Sequence, residues 1–184
     1  MRRLLVLLAA CGGGGDAGDM PAIDAPVTVD AAPDAPTGFA ACTGACRTTT
    51  LTATFAATRT LDKAYYGVTT SPPSLHVEAY ANAPAGCPTS SSPNPDYTLI
   101  LGRAPIPTDA TPSTSPGNVL DFQGDLLGGP LGAQATMVTI TPTAAASVMA
   151  ANGFVALDVM LTFPNGTVSG HLFATHCASM DAPN

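Results

Sequence analysis

The chain has 184 residues, six of them Lys or Arg against thirteen Asp or Glu, for a formal net charge of −7 at pH 7, and it contains no Trp. Charged residues are 10% of the total, against about 25% in ordinary soluble domains, and Thr, Ser, Gly and Pro stand in their place. So acidic a chain excludes nucleic acid as a partner, because phosphate binding needs clustered Lys and Arg.

The first predicted element is a leader over residues 1–10. Arg2 and Arg3 precede an apolar run over residues 4–10. A bilayer span needs about 20 apolar residues, so this run reads as a secretion signal and not as part of the fold. It ends in Leu8-Ala9-Ala10-Cys11, which resembles the lipobox of bacterial lipoproteins: an aliphatic residue, two small residues, then cysteine. The resemblance implies cleavage before Cys11 and acylation of its thiol by a diacylglycerol, with a further palmitate-type chain. Several acyl chains anchor stably where one is marginal.

Residues 11–38 are expected to form the lipidated Cys11 and a tether. After four glycines come Asp16, Asp19, Asp24, Asp30 and Asp34, with no basic residue and repeated Pro and Ala. Few large apolar groups and self-repelling charge leave nothing to offset the entropy of ordering. An extended, disordered spacer is expected, reaching roughly 30 Å as a coil and roughly 80 Å as polyproline. Lipobox, tether and a Cys-containing β domain together resemble outer-membrane lipoproteins of Gram-negative bacteria. In that class Gly12 occupies the place of an inner-membrane retention aspartate, which implies a lipid anchor in the outer membrane.

Residues 39–184 are expected to form one domain, with enough chain for a proper core. Their apolar period is two. "TTTLTATFAAT" sets Leu51, Ala53, Phe55 and Ala57 on one face. Further strands are predicted at "DKAYYGVT", "SLHVEAYA", "DYTLILGR", "NVLDFQG" and "QATMVTIT". Proline-rich loops are expected at residues 83–95 and 104–117. "TPTAAASVMAANG" predicts a short helix over residues 141–153, with Thr141 as cap, Pro142 at its first position and Gly153 at its end. "FVALDVMLTFPNGTVSGHLFATHC" predicts a hairpin turning at Asn165-Gly166, residues that tolerate positive φ. About eight short strands with turn-rich links read as an all-β fold, an antiparallel β-sandwich.

Cys42, Cys46, Cys87 and Cys177 remain once Cys11 is acylated. An even set in an exported protein predicts two disulfides, with three connectivities open. Cys42-x3-Cys46 is not the CxxC spacing of a zinc knuckle. The first strand starts just after Cys46 and the last ends at Cys177. If the two pair antiparallel, a bridge from Cys42 or Cys46 to Cys177 would staple the domain by ~2–4 kcal/mol.

Candidate chemistry is sparse. His76 and Glu78 share one strand face, and with His171, and Asp158 on the neighbouring strand, they are the weak candidates for a metal site. No G-x-S-x-G elbow is present. Glu78 is the only glutamate, which leaves a glycosidase carboxylate pair dependent on an Asp such as Asp121 or Asp125. Those two, in "LDFQGDL", also suggest a calcium loop, without the EF-hand pattern. Tyr65, Tyr66, Tyr80 and Tyr97 are expected in or beside the core. The expectation is a lipid-anchored envelope module with a binding or structural role, no cofactor and no catalytic activity, and with a protein or glycan as partner. The alternatives are a metal-assisted hydrolase using His76, Glu78 and His171, and a carrier of small ligands.

Overall fold

The computed structural model describes Phe39 and residues 41–182. The leader over residues 1–10, Cys11 and the tether over residues 11–38 lie outside the described residues.

The described chain is all-β, with strands β1 (Thr50–Thr54), β2 (Thr58–Leu61), β3 (Lys63–Thr70), β4 (Pro73–Ala81), β5 (Tyr97–Ala104), β6 (Gly117–Asp121), β7 (Gly132–Gln134), β8 (Met137–Ala146), β9 (Phe154–Phe163) and β10 (Gly166–His176). Two 3-10 turns, Gly44–Arg47 and Ala178–Met180, flank them, and no α-helix occurs among the described residues. No helix there is long and apolar enough to cross a membrane. The two strands beyond the eight expected are β2 and β7, both too short to carry a readable alternation.

All ten strands belong to one curled sheet, a half-barrel. This corrects the expected antiparallel sandwich, because β10 pairs with β3 in parallel, Ala174 opposite Ala64 and His176 opposite Tyr66, so the sheet is mixed. β10 is where it branches. One of its edges pairs with β9 along nearly its whole length. The other is shared: residues 167–171 pair with β1, and residues 174–176 with β3. At the handover Phe173 has no strand partner on that side. The buried Thr49 hydroxyl fills the gap, donating to the Phe173 carbonyl at 2.9 Å and accepting its N–H at 3.0 Å. Buried backbone groups must be paired, and here a side chain does what a ladder cannot.

The curl brings distant strands together over one core. Leu51 and Ala53 of β1, Val77 of β4, Leu99 and Leu101 of β5, and Leu161 of β9 are all completely buried. Each large aliphatic side chain so buried contributes about 1.5–3 kcal/mol. β6 approaches β9 so closely that a Cβ on Gly117 would stand 2.5 Å from the Leu161 side chain.

The β9–β10 hairpin forms, but its turn is centred one residue earlier than expected. Phe163 pairs with Gly166, leaving Pro164 and Asn165 as the two turn residues. Neither Asn165 nor Gly166 has positive φ. Gly166 is required for another reason: a Cβ there would lie 2.3 Å from the Phe55 ring and 2.4 Å from the Thr54 carbonyl oxygen. The chain crosses β1 where only hydrogen fits.

The helix expected over residues 141–153 is absent. β8 runs on through Ala146 beside β9, with a register shift between Pro142 and Ala144 that absorbs the missing N–H of Pro142. Ala144 and Ala145 are both buried. Their helix preference over a typical strand former is less than about 1 kcal/mol each, and packing overrides it. The chain then turns through Ser147, at φ 47°.

The expected staple from Cys42 or Cys46 to Cys177 is also corrected. Cys42 bonds Cys46, and Cys87 bonds Cys177. β1 does pair antiparallel with β10, but Thr50 stands opposite His171. Six residues of β10 and its exit separate that point from Cys177. The exit runs beside β3, where Cys177 N–H donates to the Tyr66 carbonyl, and there the 83–95 loop delivers Cys87.

Candidate functional site

One concavity is built from three segments of the half-barrel. Phe55 continues the inward alternation of β1 past the strand's end, and Phe163 closes β9. Their rings meet edge to face, 5.1 Å between centroids and 63° between planes, the arrangement that aromatic quadrupoles favour. The third segment is the connection between β6 and β7.

That connection is held by one buried carboxylate. Asp121 accepts the N–H groups of Gln123 and Gly124 on Oδ1, at 3.1 and 2.6 Å, and that of Leu127 on Oδ2, at 2.8 Å. Leu126 is thereby driven fully into the core. Its carbonyl accepts the Ala56 N–H at 3.0 Å, which joins the connection to the β1–β2 turn. Outside, Asp125 pairs with the Arg59 guanidinium and accepts the Tyr97 hydroxyl at 2.6 Å. The Tyr97 hydrogen bond, then Arg59, holds the Asp125 carboxyl below its usual range. Asp121 and Asp125 therefore organise this connection, where the sequence suggested a calcium loop.

Between these walls lies a cleft of about 620 Å³, within the ~300–1,000 Å³ typical of ligand sites. Phe55, Leu127, Pro130, Ala133, Phe163 and Pro164 form its apolar surface. Among the described residues, Gln134 and Asn165 are its only polar side chains and none that lines it is charged. Such a surface takes an uncharged, apolar group. The cleft escaped sequence reasoning because its walls come from positions near 55, 130 and 164; the usable signal was Phe55 and Phe163, each an aromatic ending an alternating run.

The sequence-derived metal candidates form two separate pairs. His76 Nε2 lies 2.6 Å from Glu78 Oε1, and the Tyr80 hydroxyl donates to Glu78 Oε2. Burial alone would raise the Glu78 carboxyl. The hydrogen bonds from His76 and Tyr80, with the His76 charge, outweigh it and hold the group below its ordinary value. The Tyr80 phenol is pushed far up, by burial first and then by its bond to Glu78. His171 instead faces Asp158 through Nδ1 at 2.7 Å and the Cys46 carbonyl through Nε2 at 2.9 Å. His76 and Glu78 do not meet His171 and Asp158. Among the described residues no three His, Cys, Asp or Glu side chains gather as a metal site would require.

His176, five residues on, turns the opposite way, as strand alternation requires. Its buried ring packs 5.2 Å from the Tyr66 ring, and its Nε2 meets Asp181 Oδ1 at 3.0 Å. The same oxygen accepts the Val68 N–H at 2.8 Å, tying the end of the described chain to β3. Tyr66 is core, as expected; its hydroxyl donates to the Val148 carbonyl.

No protein-family model matches the chain, and comparison with curated proteins and with solved structures finds no match either.

Proposed function

We propose that this chain is a lipid-anchored outer-membrane module with a binding role, and that the Phe55–Phe163 cleft is its ligand seat. The cleft carries the reading: about 620 Å³ of concavity with a mainly apolar lining. The anchor rests on Leu8-Ala9-Ala10-Cys11, with residues 12–38 as spacer. The apolar lining offers contacts for a bound group, which supports the binding role. Protein is favoured over glycan as partner, because the lining offers apolar contacts in place of the polar groups and Trp platform that sugars use.

Two measurements test this. Mass analysis of the N-terminal peptide from the native host should show acyl groups on Cys11; an unmodified thiol removes the anchor. The neutral fluorophore N-phenyl-1-naphthylamine, titrated into the full chain carrying Cys11→Ser, should bind saturably at one site. Phe163→Ser should abolish that binding and Met160→Ala, on the outer face, should leave it intact. Non-saturable uptake, or uptake indifferent to Phe163, overturns the seat.

A further inference from the structure

The backbone of β7 adds a second property to the same cleft. The Ala135 N–H donates to the Gly117 carbonyl at 2.8 Å, and the Asp121 N–H to the Leu131 carbonyl at 2.8 Å. Between them Val119 pairs with Ala133 in the same register. Hydrogen-bonded residues alternate in an antiparallel ladder. Gly132 and Gln134 therefore turn their N–H and C=O groups away from β6, and no strand pairs with them on that side among the described residues.

The reason is a change of partner. The chain pairs with β6 through Gln134 and with β9 from Met137 onward. The edge left behind opens onto the cleft, whose lining includes Gly132, Ala133 and Gln134 on one side and Phe163 and Asn165 on the other. Two donors and two acceptors thus face an apolar wall.

We infer that this edge takes an extended, uncharged polypeptide segment as an added strand, with one apolar side chain seated against Phe55 and Phe163. The inference rests on the cleft being the ligand seat and names what fills it. A hydrocarbon or small aromatic would cover the four backbone groups without pairing them; a strand pairs them and fills the apolar wall with alternate side chains. Charge agrees: the lining is uncharged and the chain carries −7 overall, so the core of the segment is neutral and its flanks neutral or basic. Of the other edge strands, β8 is interrupted by Pro142 and already bridged on its outer edge, at Ile140, by Ser113, and β2 carries Arg59, the kind of charge that blocks strand pairing. β7 has none.

The test uses blocked heptapeptides with Val or Leu at alternate positions, Thr between and Lys at each end, titrated into the full chain carrying Cys11→Ser. Saturable binding is expected, reduced at least tenfold when the alternate amides facing the edge are N-methylated. Gln134→Pro, which removes an outward N–H and no bond to β6, should reduce it similarly. Circular dichroism and N-phenyl-1-naphthylamine binding check that this variant keeps its fold and cleft. Equal binding of methylated and unmethylated peptides, or binding indifferent to Gln134→Pro in the folded variant, overturns strand addition. If the fluorophore binds and no peptide does, strand addition fails and the ligand seat stands; if neither binds, both fail.

Discussion

Ser113 and Ile140 exchange two backbone hydrogen bonds, of 2.8 and 2.9 Å, from segments that belong to no common ladder. Ser113 precedes β6, and Ile140 lies on the outer edge of β8. This single bridge ties one flank of the curled sheet to the other. Ser113→Pro removes one donor and leaves the Ile140 carbonyl, in a residue 2% exposed, without its partner. A loss of about 1–3 kcal/mol is expected, read as a lower midpoint in urea, with the strand signal in circular dichroism retained at low denaturant.

The two disulfides should differ in weight. Cys87 and Cys177 are 90 residues apart, and Cys42 and Cys46 are 4 apart. Loop-closure entropy makes the long bridge worth about 4–5 kcal/mol and the short one about 2 kcal/mol. Replacing Cys87 and Cys177 together by Ser should cost the domain more than replacing Cys42 and Cys46 together. Equal losses in paired denaturation curves would mean that loop length is not what matters here.

Asp121 holds the wall of the cleft, so its loss should be felt twice. Asp121→Ala strands three N–H donors now bonded to a carboxylate. Bonds to a charged group are worth ~1.5–3 kcal/mol each at most, and partial access to water moderates the sum to about 2–4 kcal/mol. N-phenyl-1-naphthylamine binding should weaken at temperatures where the variant is still folded. Unchanged affinity would show that the connection between β6 and β7 does not shape the seat.

Glu78 predicts an acid-side dependence of stability. Its carboxyl lies below its ordinary value of 4.5 in the folded chain. A depressed carboxylate contributes stability that is fully present above 4.5 and is lost as pH falls through the folded value. Glu78→Gln removes that contribution. Denaturation midpoints of wild type and variant should differ most above pH 4.5 and draw together as the solution is acidified below it; a difference that stays constant on acidification would contradict the assignment.

Much of the strand content could be read directly from the chain. Leu51 and Ala53, or Val155, Leu157, Val159, Leu161 and Phe163, alternate with a period set by one residue's own backbone geometry, and that period survives whatever the partner strand is. The pairing of cysteines as disulfides followed from their even number. The tertiary structure decided the rest, because the rest depends on groups distant in sequence. Thr49 completes the hydrogen bonds of Phe173, 124 residues away. The parallel contact of β10 with β3 sends Cys177 to Cys87 and keeps His171 from His76. β7 acquires an open edge only because the chain leaves β6 for β9 within three residues. Local alternation says which face of a strand is apolar. Which strand lies beside it, and so which side chains and backbone groups meet, is chosen by how the whole sheet curls to bury its core.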